Sequence, residues 1–242
     1  MTRNILITGV SQGLGLATAA VVLDAGDSVI GVSRRLTPEF GALQERYKGR
    51  ARFIAADLAL PDAAETVFVA GDLKSSTPLH GYVNNAAVAY DDLITNLRIE
   101  PLQSMFALNV FTPMVFVRQV IRNMLLHGTA GSIVHVSSIS VHTGYKGLAM
   151  YAASKGALEA FSKNTAREWG ERKIRSNTVV AGFMETSMSA TLSSEQKDRI
   201  YKRTCLKQPT DVVAVAETIQ FLLSDKASSI TGQNTFVDSG TI

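Results

Sequence analysis

Short apolar runs alternate along the chain with longer segments whose apolar residues recur at helical spacing. The apolar or β-branched runs predict seven strands, at Ile5–Thr8, Ser28–Ser33, Ala51–Ala56, Gly81–Asn84, Ser132–Ser137, Ser176–Val180 and Thr235–Asp238. The helical pattern is clearest in Leu14–Ala25, Leu97–Leu126, Tyr151–Gly170 and Asp211–Leu223. Strands that are apolar on both sides and are separated by helices are typical of a parallel sheet covered on both faces. The pattern predicts an α/β fold of the Rossmann type, a doubly wound parallel sheet with helices on both faces.

The organisation of the chain predicts a single domain. Its 242 residues contain no Pro/Gly/Ser-rich linker and no repeat of 20–50 residues, and α/β folds often exceed 200 residues as one unit. We therefore expect one domain over 1–242. The segment 184–205 carries Thr, Ser, Met and charged residues but no strand pattern. It predicts a small helical insertion that acts as a lid over the substrate.

Composition narrows the possible functions. The only cysteine, Cys205, excludes an intramolecular disulfide and a multi-cysteine zinc or iron–sulfur site, and the four histidines share no ligand spacing. We therefore expect no metal site. No stretch approaches 18 uninterrupted apolar residues, and the first apolar run reaches Gly9 too soon for a signal peptide. These features predict a cytoplasmic protein that does not span a membrane.

The net charge of +3 raises the question of a nucleic-acid partner. The positive residues are scattered, and the densest run, residues 46–52, is better interpreted as a solvated helix end and loop. No nucleic-acid-binding motif accompanies it. We therefore expect no nucleic-acid partner, which the absence of salt-sensitive retention on a DNA column would test.

A glycine-rich turn joins the first predicted strand to the first predicted helix. Glycines there allow positive φ and let backbone N–H groups approach a pyrophosphate at the helix N-terminus. The position of this turn between strand and helix favours dinucleotide binding, whereas a tight turn without a ligand is the alternative. The candidate contacts are Gly9, Ser11, Gln12, Gly13, Leu14 and Gly15.

The end of the second strand indicates which dinucleotide is bound. An NAD site usually places Asp or Glu there to accept from the ribose hydroxyls, but this strand ends in Ser33, Arg34 and Arg35. Two guanidinium groups match a 2′-phosphate through charge-assisted hydrogen bonds. The sequence therefore favours NADP(H). If the arginines are ordinary surface charges, the missing carboxylate still counts against NAD.

Candidate acid–base chemistry lies at the start of the third long helix. Tyr151 and Lys155 are four residues apart and share one helix face. A lysine ammonium beside a phenol favours the phenolate, so we expect Lys155 to lower the pKa of Tyr151 and make it a general acid/base. Ser138, at the carboxyl end of the fifth strand, could hold a carbonyl oxygen beside the Tyr151 hydroxyl.

Together these motifs resemble those of the short-chain dehydrogenase/reductase family, and the resemblance covers essentially the whole chain. They comprise the turn Thr8–Gly15, Asp57, Asn84-Asn85-Ala86-Ala87, Asn109, Ser138, Tyr151-x3-Lys155, Gly182–Thr186, Ile230–Gln233 and Val237–Gly240. The resemblance implies hydride transfer between a nicotinamide and a carbonyl or alcohol carbon. It implies that Tyr151 protonates the carbonyl oxygen, Ser138 orients it, and Lys155 holds the nicotinamide ribose.

The remaining roles are also implied by the resemblance. Asn109 would support a water that relays protons to Lys155. Further cofactor contacts would come from Asp57, Leu58, Asn85, Ala86, Gly182, Met184 and Thr186. Independently of the family, Pro113 lacks the N–H that would bond to the main-chain carbonyl of Asn109. This gap predicts a helix kink that could hold the water, although a bend for packing alone is the alternative.

Three positions depart from the family pattern: Ala87 stands where glycine is usual, Ala181 where proline is usual, and Gln12 where many NADPH enzymes carry a basic residue. The first two changes leave the chemistry intact. The third leaves Arg34 and Arg35 to select NADPH.

Within the family the pattern is most similar to bacterial 3-oxoacyl-[acyl-carrier-protein] reductases. This implies a 3-oxoacyl thioester substrate and an acidic carrier protein held by arginines beside the active-site entrance, where Arg172 matches one position. The other position, the turn 126–130, contains no Arg or Lys. A reductase or dehydrogenase of a free small carbonyl or alcohol, such as a quinone, polyketide, sugar or steroid-like compound, is therefore the alternative. The family also implies a homotetramer or homodimer. An idle nucleotide-sensing scaffold is disfavoured because all four catalytic positions are filled.

Overall fold

Seven strands form one parallel sheet in the computed structural model, which describes residues 2–186, 189 and 192–241. The strands are β1 (Asn4–Thr8), β2 (Ser28–Ser33), β3 (Ala51–Ala55), β4 (Gly81–Asn84), β5 (Gly131–Ser138), β6 (Ile174–Ala181) and β7 (Asn234–Val237). Their order is β3-β2-β1-β4-β5-β6-β7, and every pairing is parallel. The order reverses between β1 and β4, where doubly wound sheets bind ligands. The predicted fold class is confirmed.

Eight α-helices connect and cover the strands in the part of the chain that the structure describes. They are α1 (Gly13–Asp24), α2 (Pro38–Arg46), α3 (Ala63–Ala70), α4 (Ile99–Phe106), α5 (Thr112–His127), α6 (Ala149–Trp169), α7 (Ser194–Arg203) and α8 (Val212–Leu223). Helices α1, α2 and α8 supply the apolar cluster on one face of the sheet. Helices α3, α5 and α6 cover the opposite face. Because β1 is buried on both faces, Ile5 and Ile7 belong to the first cluster while Leu6 belongs to the second.

The predicted helix Leu97–Leu126 is interrupted. Between α4 and α5, residues Ala107–Phe111 form a π-helical turn in which the N–H of Thr112 bonds to the carbonyl of Ala107. Pro113 follows directly at the start of α5, where its missing N–H is tolerated. The α-helical pattern is therefore interrupted next to the position where the kink was predicted. The whole stretch Ile99–His127 is long and apolar enough to cross a bilayer, a criterion that a core helix also meets, and 44% of its most apolar window is buried.

The segment predicted to form a lid contains one α-helix, α7, among its described residues. Helix α7 begins with a capping box, in which the Ser193 hydroxyl accepts from the amide of Gln196 and the Gln196 side chain accepts from the amide of Ser193. The Glu185 carboxylate accepts from Tyr201 Oη at 2.5 Å and Lys197 Nζ at 3.3 Å, which ties α7 to the chain after β6. Positions 187, 188, 190 and 191 of this segment lie outside the described residues.

Candidate active site

A cleft of about 970 Å³ opens along the carboxyl edge of the sheet. It runs from the glycine turn after β1, past the end of β2, to the start of α6. Every residue that the sequence predicted to hold the cofactor lines it: Gly9, Ser11, Gln12, Gly13, Leu14, Gly15, Ser33, Arg34, Arg35, Asp57, Leu58, Asn85, Ala86, Tyr151, Lys155, Gly182, Met184 and Thr186. Residues far apart in the chain therefore share one elongated cavity.

The glycine turn needs its glycines for conformation and for close approach. Gly9 and Gly13 have φ of 75° and 57°, the left-handed region that other residues rarely adopt. A Cβ on Gly15 would overlap the carbonyl oxygen of Gly9. The start of α1 can therefore lie directly against the turn, which leaves its backbone N–H groups available to a phosphate.

Asn85 braces this turn against the end of β4. Its side-chain amide donates to the carbonyls of Thr8 at 2.9 Å and Gly9 at 3.2 Å. The Thr8 hydroxyl accepts in return from the amides of Asn85 and Ala86. These bonds join β1 and β4 at the switch point and fix the floor of the cleft.

The end of β2 presents unpartnered polar groups to the cleft. The hydroxyl of Ser33 is buried without a hydrogen-bond partner in the described structure. Neither Arg34 nor Arg35 forms an ion pair or side-chain hydrogen bond with any described residue, and both are exposed. An unpaired buried hydroxyl beside two free guanidinium groups fits the phosphorylated ribose of a dinucleotide. Thr37, which the sequence reading missed, caps α2 and donates to the carbonyl of Ser11 at 3.1 Å.

Ser138 and Tyr151 meet at the opposite end of the cleft. The Ser138 side chain lowers the pKa of Tyr151 as a hydrogen-bonding neighbour, which opposes the other influences on that pKa. Tyr151 lines the cleft, as do Ser137 and Ile139 on either side of Ser138. Ser138 Oγ also accepts from the amide of Ser140 at 3.2 Å and from its hydroxyl at 3.0 Å. Two hydroxyl groups therefore converge where a carbonyl oxygen could accept from both.

Lys155 lies behind this pair. Its Nζ is 5.8 Å from the centroid of the Tyr151 ring and donates to the Val136 carbonyl at 2.9 Å. Burial lowers the pKa of Lys155 to about 8. Burial, together with the negative charge of Asp91, raises the pKa of Tyr151 to about 12. The expected lowering of the tyrosine pKa by Lys155 is therefore not found, because burial of the phenol is the largest influence and the Asp91 charge acts in the same direction.

Asn109 is buried in the π-helical turn. Its side-chain amide donates to the Val88 carbonyl at 2.8 Å and the Ser154 hydroxyl at 3.1 Å, and its oxygen accepts from the Val88 amide. Asn109 thus joins the loop after β4 to α6 one residue before Lys155. π-Helical turns often occur at functional sites, and this one places Asn109 behind the lysine.

Several other residues line the cleft that the sequence reading did not single out. They include Asp91, Ser104, Ser140, Tyr145, Lys146 and Ser189. Asp91 matters most because its charge acts on Tyr151, and burial raises its own pKa. Asp91 could have been predicted from its position in the loop after β4, because loops at the carboxyl ends of the strands form the binding site in such sheets.

Arg172 is not beside the entrance of the cleft, contrary to the expectation. It follows α6 and precedes β6, so it lies at the amino edge of the sheet, whereas the cleft lies at the carboxyl edge. Tyr151 is at the start of α6, and 18 residues of helix at about 1.5 Å each place its end on the order of 27 Å away. Within one chain, Arg172 and Tyr151 are at opposite ends of the molecule.

Comparisons with known proteins agree with this architecture. The family model described as "Enoyl-(Acyl carrier protein) reductase", a short-chain dehydrogenase model, matches residues 9–241. The chain is 32% identical over 237 residues to the Sus scrofa carbonyl reductase [NADPH] 2, covering 97% of this chain and 94% of the relative. It is 31% identical to the 3-oxoacyl-[acyl-carrier-protein] reductase of Vibrio cholerae, covering 97% and 95%.

A solved structure from Beutenbergia cavernae with bound NADP superposes with a TM-score of 0.91, at 28% identity over 99% of this chain and 96% of that one. The matched family model, the two relatives and the shared parallel sheet lead to the same assignment. The chain belongs to the short-chain dehydrogenase/reductase family of NAD(P)-linked oxidoreductases.

Proposed function

We propose that this protein reduces a ketone to an alcohol with NADPH. One observation carries the proposal: Tyr151, with Ser138 as its hydrogen-bonding neighbour, lies in the same cleft as Arg34 and Arg35, which form no ion pair with a described residue. Within the established class of oxidoreductases, this arrangement supports Tyr151 as the proton donor to the carbonyl oxygen. It supports Arg34 and Arg35 as the site for the 2′-phosphate of the cofactor.

NADPH, when bound, supplies the hydride. The chain supplies binding, orientation and the proton. Because the pKa of Tyr151 is about 12, its phenol is protonated at neutral pH and can donate Oη–H to the carbonyl oxygen. Ser138 holds the same oxygen through its hydroxyl.

Lys155 and Asn109 provide the route by which Tyr151 is reprotonated. With a pKa of about 8, Lys155 Nζ is mostly protonated at pH 7 and exchanges protons readily. The bonds of Asn109 to Val88 and Ser154 hold the π-helical turn behind Lys155. We assign the water-supporting role to the Asn109 main-chain carbonyl, which Pro113 cannot engage.

The preference for NADPH rests on the end of β2. Arg34 and Arg35 are free to contact a 2′-phosphate, and the unpartnered Ser33 hydroxyl adds a hydrogen-bonding group. A carboxylate that would accept from an unphosphorylated ribose is absent from that strand end. The similarity to an NADPH carbonyl reductase supports the same choice.

The leading substrate is a 3-oxoacyl thioester carried on an acyl carrier protein, supported by similarity to the Vibrio cholerae reductase. The position of Arg172 argues against a carrier that contacts Arg172 and the cleft of the same chain. A free small ketone is therefore the second candidate. The cleft has polar and charged groups on the side of Tyr151, including Asp91, Ser140 and Lys146, which suit a substrate that bears hydroxyl groups.

We further propose self-association into a homotetramer or homodimer in the cytoplasm. The α4–α5 segment exposes Ile99, Phe111 and Leu126, at 55%, 60% and 62%. Exposed apolar groups on one helical segment support pairing with a second copy. Light scattering of the purified chain tests this, and a monomer at micromolar concentration contradicts it.

The function is tested by following NADPH consumption on acetoacetyl thioester, a free keto-sugar and a quinone. Tyr151→Phe serves as the inactive control. Turnover on the thioester supports the leading substrate, and turnover confined to the free ketones supports the second. No NADPH oxidation on any carbonyl would overturn the reductase proposal.

A further inference from the structure

A buried carboxylate outside the proposed catalytic group bonds to the end of β5, which carries Ser138, and to the turn that follows it. Glu159 lies on α6 eight residues after Tyr151 and four after Lys155, so the three side chains share one face of that helix. Its side chain is only 9% exposed. A buried carboxylate is costly unless it is hydrogen-bonded, and an apolar residue would often be as stable there. A structural role alone therefore gives a weak reason for a glutamate.

The partners of Glu159 flank Ser138 on both sides. Ser137, directly before it, donates its hydroxyl to Glu159 Oε1 at 2.5 Å. His142, four residues after it, places Nε2 at 3.2 Å from Oε1 and 3.0 Å from Oε2. Asn234 of β7 donates to Oε2 at 2.6 Å. One carboxylate thus fastens both ends of the segment Ser137–His142 to the helix that carries Tyr151.

The segment between these two anchors has few other side-chain restraints. The amides of His142 and Thr143 bond to the Ile139 carbonyl, and Ser140 bonds to the Ser138 hydroxyl. The backbone of Ser138 also pairs with Ala181 of β6, which holds the strand end in the sheet. The bonds of Glu159 add the side-chain ties from this strand end and from His142 to α6. The His142 ring also packs edge-on against Phe236, with centroids 4.7 Å apart, which fixes the direction from which Nε2 reaches Glu159.

We propose that Glu159 is a positioning residue, which holds the Ser137–His142 segment so that the Ser138 hydroxyl meets the same oxygen as the Tyr151 phenol. The inference rests on the proposed function, in which both hydroxyl groups bind the carbonyl. Tyr151 and Glu159 belong to one rigid helix. The bonds of the Glu159 carboxylate to Ser137 and His142 therefore fix the position of Ser138 relative to Tyr151. A loss of alignment by about 1 Å is enough to slow such a reaction by about 100-fold.

The test compares Glu159→Gln with Ser162→Ala. Ser162 lies on the same helix and forms an equally buried side-chain hydrogen bond, at 2.8 Å to Ser176, but it contacts no residue of the loop. Glutamine keeps the shape of glutamate but brings an N–H group against a ring of donors. We expect kcat for the ketone to fall between about 10- and 100-fold in Glu159→Gln. The Kd for NADPH and the activity of Ser162→Ala should stay within about twofold.

A coupling measurement separates positioning from general destabilisation. In a Ser138→Ala background, Glu159→Gln should lower kcat by no more than about twofold, because the group that it positions is already absent. A full additional loss in that background would overturn the proposal. So would an equal loss of activity in Ser162→Ala, or an unchanged kcat in Glu159→Gln.

Hydrogen exchange provides a readout that does not require turnover. The amides of residues 140–143 should exchange about tenfold faster in Glu159→Gln than in the wild type or Ser162→Ala. Unchanged exchange there would contradict the proposal, even if the wild type reduces no ketone. If Glu159→Gln does not fold, Ser137→Ala removes one anchor alone and should give a smaller change of the same kind. Absence of turnover in the wild type would instead refute the proposed function.

Discussion

The ammonium of Lys155 lies 5.8 Å from the centroid of the Tyr151 ring, yet the pKa of Tyr151 is raised to about 12. Burial of the phenol is the largest cause, and the Asp91 carboxylate adds to it. The chain alone therefore keeps Tyr151 protonated, which suits proton donation to a carbonyl. Because a neighbouring charge contributes to this pKa, a single substitution of Asp91 should shift it.

Replacing Asp91 by Asn is expected to lower the pKa of Tyr151. Removing a negative charge makes the phenolate less unfavourable, so the basic limb of the pH–rate profile should move to lower pH. The profile of kcat/KM for ketone reduction measures this shift. Asp92→Asn is the matched control, since the Asp92 carboxylate accepts from the Leu93 amide and the Asn96 side chain and does not contribute to the pKa shift of Tyr151. A limb that stays in place, or moves upward, would contradict the role of Asp91.

Replacing Lys155 by Met is expected to stabilise the cofactor-free protein while abolishing turnover. Burial lowers the pKa of Lys155 from its ordinary value of 10.5 to about 8, so the unfolded chain holds this proton more tightly. The charged lysine is thus a penalty below pH 8, which fades as pH rises toward 10.5. We expect a gain in unfolding free energy of about 1 to 3 kcal/mol at pH 7 and little gain above pH 10.5.

Denaturant unfolding at pH 7 and at pH 10.5 measures the difference. Lys163→Met, at an exposed position of the same helix, controls for the added methionine. Equal stability of Lys155→Met and the wild type at pH 7 would show that Lys155 is not destabilising.

Substituting Arg34 by Asp and Arg35 by Ala is expected to reverse the cofactor preference. Two lost charge-assisted hydrogen bonds, each contributing about 1.5 to 3 kcal/mol, should raise the Kd for NADPH at least 100-fold. The new carboxylate should improve the binding of NADH. Fluorescence titration with both cofactors measures the ratio, with Arg46→Ala as control because Arg46 pairs with Asp24 outside the cleft. A double variant that still prefers NADPH would disprove the assignment.

Replacing Pro113 by Ala is expected to lower turnover more than stability. The restored N–H can bond to the Asn109 carbonyl, which would close the π-helical turn and remove the proposed water site. We expect kcat to fall about tenfold with a change in Tm of only a few degrees. Pro101→Ala, in the first turn of α4, is the control, since an N–H there has no partner to displace. Equal turnover in Pro113→Ala would exclude the water site.

Local sequence patterns were sufficient to predict the strands of the sheet and the residues that line the cleft after β1 and β2. Each predicted strand is present, with bounds within two residues of those expected. Residues such as Gly13 and Arg34 directly follow strands, and parallel strands bring their carboxyl ends to one edge. The positions of Gly13 and Arg34 along that edge depend on the order of the strands in the sheet. The Leu97–Leu126 helix was less well predicted, because a π-helical turn keeps an apolar pattern close to that of an α-helix.

The sequence alone determined the fold class and the parallel arrangement, since these depend on the periodicity of apolar residues. It also predicted Ser138, Tyr151 and Lys155 as catalytic residues, through motifs that resemble those of the family. Only the tertiary structure decided the pKa values of these residues and the contacts that hold them in place. The raised pKa of Tyr151 depends on burial and on Asp91, 60 residues away in the chain. The position of Arg172 depends on the length of α6, and the contacts of Glu159 depend on β5 and β7 meeting one helix. Such properties arise from distances between residues remote in sequence, which no local pattern encodes.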